Sequence, residues 1–188
     1  NIFADQEHNI WLGTDYGISL SRYNSALQFI PISQITGTGD GNQFYSLFRD
    51  SKGFYWFGGA NGLIRFTDPA GERHDAIWYR MGDKTYPLSH NRIRHIYEDK
   101  EQQLWIATDG SINRYDYATR QFIHYNIVDN TGTYNTNWTY YIFEDSAGQL
   151  WISTCLGGIF VVDKRKLMQS TSGQYIAEQN YSVHNGLS

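Results

Sequence analysis

The chain has little of what would tie it to a metal, a membrane or a nucleic acid. It holds one cysteine, Cys155, in 188 residues, which excludes an internal disulfide framework and a cysteine-based zinc site. Its six histidines, His8, His74, His90, His95, His124 and His184, are scattered without a ligand spacing. No metal and no cofactor are expected, and His95 and His124 read as strand residues. No apolar run reaches membrane-spanning length, so no direct membrane contact is expected of this segment. With a net charge of −4 and no basic block, a nucleic-acid partner is not expected either. Only three prolines stand beside an aromatic share of 16%, which speaks against disorder. The start, Asn1-Ile2-Phe3-Ala4-Asp5, carries no Met, basic segment or apolar stretch of a signal peptide, and reads as an excised or mature piece. The hydrophobic fraction is a modest 40%, so aromatic side chains must build much of the core.

What the chain does have is a repeat. Trp11, Trp56, Trp105 and Trp151 follow one another at spacings of 45, 49 and 46 residues. Six residues before each stands an Asp: Asp5, Asp50, Asp99 and Asp145. Two residues before each Asp is an aromatic: Phe3, Phe48, Tyr97 and Phe143. Three copies follow the Trp with a small residue and Thr, while the second has Gly58-Gly59. A Gly then recurs at Gly17, Gly62, Gly110 and Gly158.

Each unit reads as four short strands. In the third copy these are Ile93 to Glu98, Leu104 to Thr108, Ile112 to Tyr115 and Phe122 to Ile127, parted by Asp- and Gly-containing turns. Such runs of Ile, Tyr, Phe and Trp are strand and hairpin signals, and no window shows sustained helical periodicity. A four-stranded antiparallel unit repeated at this period predicts an all-β chain, a β-propeller. Its blades are expected at 1–36, 37–81, 82–129 and 130–184, with 185–188 leading into a further one. Most propellers of this blade type close with roughly six to eight blades. The expectation is therefore a fragment of a larger ring, whose exposed end faces could drive association of two copies into a homodimer.

The repeated residues read as structural. The Asp can accept backbone N–H bonds from the turn that follows it, and Gly53 and Gly148 supply the positive φ of a tight hairpin. The Trp should wedge between neighbouring blades. The four Asp cannot converge as catalytic carboxylates, because one repeat position is spread around the ring. Arg22, Arg65 and Arg114 read as one repeat position with a shared structural role. Lys164-Arg165-Lys166 reads as a solvated turn, and Cys155 as a small turn residue.

The stretch Phe143-Glu144-Asp145-Ser146-Ala147-Gly148-Gln149-Leu150-Trp151-Ile152-Ser153-Thr154 with Gly157-Gly158-Ile159 resembles the two-component regulator propeller repeat. Tyr97-Glu98-Asp99 with Leu104-Trp105-Ile106-Ala107-Thr108 is a second match, and Asp5 with Ile10-Trp11-Leu12-Gly13-Thr14 a third. Asp50 to Gly62 fits less well. The resemblance implies a periplasmic sensor region of a hybrid two-component system, lying ahead of a membrane helix and cytoplasmic histidine kinase parts. It also implies sensing of glycan fragments. No kinase element stands in this chain.

Binding residues are expected on the rim formed by inter-blade loops and by the turns between second and third strands. The loops are Thr36 to Asn42, Met81 to Asn91 and Asp129 to Asn137. Carbohydrate recognition wants an aromatic platform beside amides or carboxylates. Tyr134 and Trp138 amid Asn135 and Asn137 have that character, joined by Tyr16, Asn61, Tyr86, His90, Asp109 and Leu156. The structural alternative is that these are ordinary loop residues and that Trp138 packs between blades. Two other functions are weighed: an enzyme of the streptogramin-lyase type, for which only His90, His95, Glu98 and Glu144 could act as a base, and a protein-interaction propeller.

Overall fold

Short runs of aromatic and branched residues, cut by Asp-led turns, fold into four-stranded antiparallel sheets. The computed structural model describes residues 2–5, 7–14, 17–22, 26–31, 43–67, 75–85, 87–170 and 174–183. The first sheet holds β1 (Ile2–Ala4), β2 (Ile10–Gly13), β3 (Gly17–Ser21) and β4 (Leu27–Pro31). The second holds β5 (Phe44–Arg49), β6 (Tyr55–Gly59), β7 (Gly62–Phe66) and β8 (Ile77–Tyr79). The third holds β9 (Ile93–Glu98), β10 (Leu104–Thr108), β11 (Ser111–Asp116) and β12 (Gln121–Tyr125). In each, neighbours in sequence are neighbours in the sheet, as in a propeller blade. The loop and lead-in at 36–42 and 185–188 lie outside the described residues.

The fourth blade departs from this simple meander. After β13 (Ile127–Val128) come β14 (Thr139–Glu144), β15 (Gln149–Thr154) and β16 (Ile159–Asp163). A one-and-a-half-turn helix, α1 (Lys164–Gln169), then interrupts the blade. β17 (Tyr175–Ile176) pairs in parallel with β13, and only β18 (Gln179–Tyr181) completes the fourth sheet against β16. The reading of Lys164 to Lys166 as a solvated turn is therefore corrected. Asp163 caps the helix, its side chain accepting from the Lys166 amide at 3.1 Å. Leu167 anchors the helix in the core, and Lys164 is buried, with 3% of its surface exposed.

The core lies between blades. Trp11, Ile18 and Leu20 of the first blade pack with Phe44, Tyr55 and Phe57 of the second. Trp56 and Leu63 pack with Ile96, Leu104 and Tyr115 of the third, and Trp105 and Ile112 with Leu150, Ile152 and Phe160 of the fourth. Burial of these large flat side chains supplies the main association energy between sheets. Trp151 is the exception: it is half-buried and stacks on Tyr181 of its own blade, with ring centroids 6.1 Å apart.

The repeated Asp accepts three donors at once. In the third blade, Asp99 Oδ1 accepts the amides of Glu101 and Gln103, at 3.0 and 2.8 Å. Its Oδ2 accepts the indole N–H of Trp105 at 2.9 Å. The same indole bond recurs from Trp11 to Asp5, Trp56 to Asp50 and Trp151 to Asp145. The residue three beyond each Asp takes positive φ. It is Gly53 or Gly148 in two blades, but His8 (φ 64°) and Gln102 (φ 61°) in the others. Arg65 and Arg114 lie opposite Trp56 and Trp105 in their hairpins, where Leu20 lies opposite Trp11. Arg22 falls beyond β3, so it does not share their position.

Candidate ligand cleft

The segment from Asp129 to Thr139 is stitched into one shape by its own polar groups. Asp129 Oδ1 accepts the Tyr134 amide at 2.9 Å, and the Asp129 amide donates to the Tyr134 carbonyl at 3.0 Å. Thr131 Oγ1 donates to Asp129 Oδ2. The buried Thr136 donates its amide to the Ile127 carbonyl, and its hydroxyl bonds the Ser111 hydroxyl of the third blade. The Asn135 side chain accepts the Asn137 amide at 3.0 Å, an Asx turn that lifts the chain toward Trp138. Short polar residues suit this path because their side chains replace the backbone partners a strand would supply.

Trp138 is held by its backbone and leaves its ring outside. Its amide donates to the Asp109 carbonyl at 3.1 Å, and its carbonyl accepts the Cys155 amide at 3.0 Å. Its φ is +55°, a conformation uncommon for a bulky residue, and 48% of it is exposed. Strain of this kind collects where a side chain must be aimed. The reading of Trp138 as a wedge between blades does not fit this exposure. On the opposite wall, Gly157 approaches closely: a Cβ there would lie 2.7 Å from the Asn135 carbonyl oxygen.

Between these walls lies a cleft of about 450 Å³, lined by Thr133, Tyr134, Asn135, Asn137, Trp138, Leu156 and Gly157. That volume falls in the range of small-ligand sites. None of the seven side chains carries a formal charge. An exposed indole, two amides and hydroxyls in an uncharged concavity can stack on the apolar face of a ring and bond its hydroxyls.

The structure thus brings together Tyr134, Asn135 and Trp138, with Asn137 and Leu156, and adds Thr133 and Gly157. Tyr134 is half-buried and packs against the core between the third and fourth blades, so its ring is a wall more than a platform. Asn61, His90 and Asp109 do not line the cleft. The Asn61 carbonyl accepts Arg80 Nε at 3.0 Å, and His90 Nδ1 accepts the Arg92 amide at 3.0 Å. Asp109 is paired with Arg94, Nε to Oδ1 at 2.7 Å, in an ion pair that sequence reading did not anticipate. Tyr16 and Tyr86 lie outside the described residues.

The four residues weighed as bases are engaged elsewhere. His95 Nδ1 accepts the Ile142 amide at 3.4 Å, its ring stacks on Tyr141, and burial pulls its pKa down to about 4. Glu98 accepts the Ser51 amide at 2.9 Å, and Glu144 the Lys100 amide at 3.0 Å. Lys164 Nζ joins Glu144 (2.6 Å) and Asp99 (3.1 Å) and also reaches Glu101, filling the one cluster of three carboxylates among the described residues. No helix among the described residues is long and apolar enough to cross a membrane.

The family model described as two component regulator propeller matches residues 38–61, 87–110 and 133–155. No curated protein matches the chain. Among solved structures, the chain is similar to the extracellular domain of the putative hybrid two component system BT4673 from B. thetaiotaomicron. The identity is 99%, over 100% of this chain and 25% of that one, with a TM-score of 0.83. The chain thus spans about a quarter of the length of that protein. The extracellular domain of the putative hybrid two component system BT3049, from the same organism, is 20% identical over 98% of this chain and 22% of its own, with a TM-score of 0.69. Virginiamycin B lyase from Staphylococcus aureus is 15% identical over 97% of this chain and 54% of its own, with a TM-score of 0.63. At these identities the last two share the fold alone.

Proposed function

We propose that the chain, which carries matches to the two component regulator propeller at residues 38–61, 87–110 and 133–155, belongs to the periplasmic, extracellular part of a hybrid two-component sensor, and that its cleft at Trp138 binds a neutral oligosaccharide whose presence the sensor reports to a cytoplasmic histidine kinase. The observation that carries this reading is the exposed indole of Trp138. It is pinned by two backbone bonds in a strained conformation beside an uncharged wall of amides and hydroxyls. A platform fixed in advance loses little entropy when a ligand arrives.

The role is binding without turnover. His95, Glu98 and Glu144 hold blades together, and His90 caps its own loop. Proton transfer in the cleft would need a titratable group within hydrogen-bond reach of substrate, and the lining offers only the Tyr134 phenol.

A thermal-shift screen of the extracellular domain against neutral and acidic oligosaccharides tests the reading. Neutral sugars should raise the melting midpoint. A response confined to acidic sugars, or release of a cleaved product, would contradict it.

A further inference from the structure

We propose that a pocket between the first and second blades, at the strand ends opposite to those that frame the Trp138 cleft, binds a small oxyanion held by Arg49 and Arg22.

The pocket encloses about 220 Å³, less than is usual for drug-sized ligands, and suits a group of a few heavy atoms. Its polar lining is Glu7, Asn9, Arg22, Arg49, Tyr55 and Thr67. Three of these spend their polar groups inside the protein. Asn9 Nδ2 and Tyr55 OH both donate to Asp5 Oδ2, at 3.0 and 3.1 Å. The Thr67 hydroxyl donates to Asp75. Asp5, behind them, is saturated as well, since it also accepts the Trp11 indole and the amides of Glu7 and Asn9. What stays unspent is the N–H groups of two guanidinium ions, so the pocket calls for an acceptor.

Arg49 makes the demand most clearly. Its guanidinium carbon lies over the Tyr55 ring, 5.1 Å from the centroid, which fixes the plane of the fork. Nε and Nη2 form one edge of that fork, and such an edge takes two oxygens of one anion by parallel bonds. Here the edge is half used. Nη2 meets Glu7 Oε1 at 3.1 Å, while Nε is buried without any acceptor. It is the one buried side-chain nitrogen or oxygen left unpaired among the described residues. A buried donor is costly to leave unmet, and a pair of oxygens in the guanidinium plane satisfies it. Glu7 does not provide that pair. Its side chain is 63% exposed and meets Arg49 at a single nitrogen. So weak a surface ion pair gives way to a ligand that bonds the edge at both points.

Arg22 adds the second charge. It is exposed just beyond β3, and no acceptor meets its guanidinium among the described residues. Two arginines against Glu7 leave the lining one positive charge in excess, which an oxyanion balances. A carboxylate of an organic acid and an inorganic sulfate or phosphate share the required pair of oxygens. The site is separate from the Trp138 cleft, and its test uses no sugar.

The melting midpoint of the full extracellular domain, followed in rising acetate, malonate, sulfate or phosphate with chloride holding ionic strength constant, tests the proposal. At least one oxyanion should raise the midpoint along a saturating curve. Saturation by the carboxylates alone marks an organic acid as the ligand, and saturation by sulfate or phosphate an inorganic ion. Arg49→Gln should abolish saturation. Arg22→Gln, an exposed change that leaves the fold intact, should raise the half-saturating concentration about threefold or more. Glu7→Gln removes the competing carboxylate and should lower it about threefold or more. The absence of a saturating rise with all four anions would overturn the proposal. So would one half-saturating concentration shared by the parent, Arg22→Gln and Glu7→Gln.

Discussion

Trp56 Nε1 donates to Asp50 Oδ2 at 2.7 Å across a hairpin, and the Tyr117 hydroxyl of the next blade donates to the same oxygen at 2.7 Å. One carboxylate therefore closes its own turn, fixes the rotamer of the inter-blade tryptophan and ties two blades. Asp50→Asn keeps the oxygen that accepts the Lys52 and Phe54 amides, but turns an NH₂ toward two donors. We expect a loss of about 2–3 kcal/mol in unfolding free energy, measured by denaturant titration, because buried donors are left unpaired. A loss below 0.5 kcal/mol would mean that the turn bonds alone matter.

Lys164 replaces that tyrosine at the next junction. It sits among Asp99, Glu101 and Glu144 with 3% of its surface exposed. Removing a buried charge strands its partners, so Lys164→Met should destabilise the protein by about 3–5 kcal/mol. Met fills nearly the same space, which separates loss of charge from loss of packing. A variant as stable as the parent in urea unfolding would contradict the buried clamp.

Trp138 contributes direction more than stability. Its left-handed conformation costs about 1–2 kcal/mol in a side-chain-bearing residue, and Gly would relieve it. Trp138→Gly should leave the melting midpoint unchanged or slightly raised, while oligosaccharide binding is lost. A clear fall in midpoint would show that the ring packs as core.

Acid should loosen the junction between the third and fourth blades first. His95 is buried neutral with its pKa pulled down to about 4 from an ordinary value near 6.5, so the unfolded chain binds the extra proton between those limits. Tyr97 and Tyr141 are the titratable groups that face its ring. Its contribution is complete above pH 6.5 and falls away as pH drops toward 4. The Trp151 indole and Gln149 amide hold the Asp145 carboxyl below its usual range, and its contribution is lost at still lower pH. His95→Gln should flatten the stability profile between pH 6.5 and 4, as read by denaturant midpoints. An unchanged slope would mean that other groups set it.

The blades were legible because a four-stranded meander repeats its marks in register: Asp, then Trp six residues on, then Gly. The loop from Asp129 to Trp138 was legible as a rim because it is long and polar. Less visible was anything set by contact across blades. Lys164 reads as one of three adjacent cations until Asp99 and Glu144 are seen beside it. Asp109 reads as a free rim carboxylate until Arg94, fifteen residues earlier, pairs with it. Gly157 lines the cleft because Asn135 passes too close for a side chain, a constraint no local pattern announces. The short α1 went unread because six residues carry less than two helical turns of periodicity.

The most direct test of the account is calorimetric titration of the extracellular domain, parent and Trp138→Ala, with the neutral oligosaccharide that gives the largest thermal shift. The account predicts one site per domain in the parent and at least a tenfold weaker affinity in the variant, about 1.4 kcal/mol or more. Equal affinities in two well-folded proteins would place the ligand elsewhere and contradict the cleft assignment.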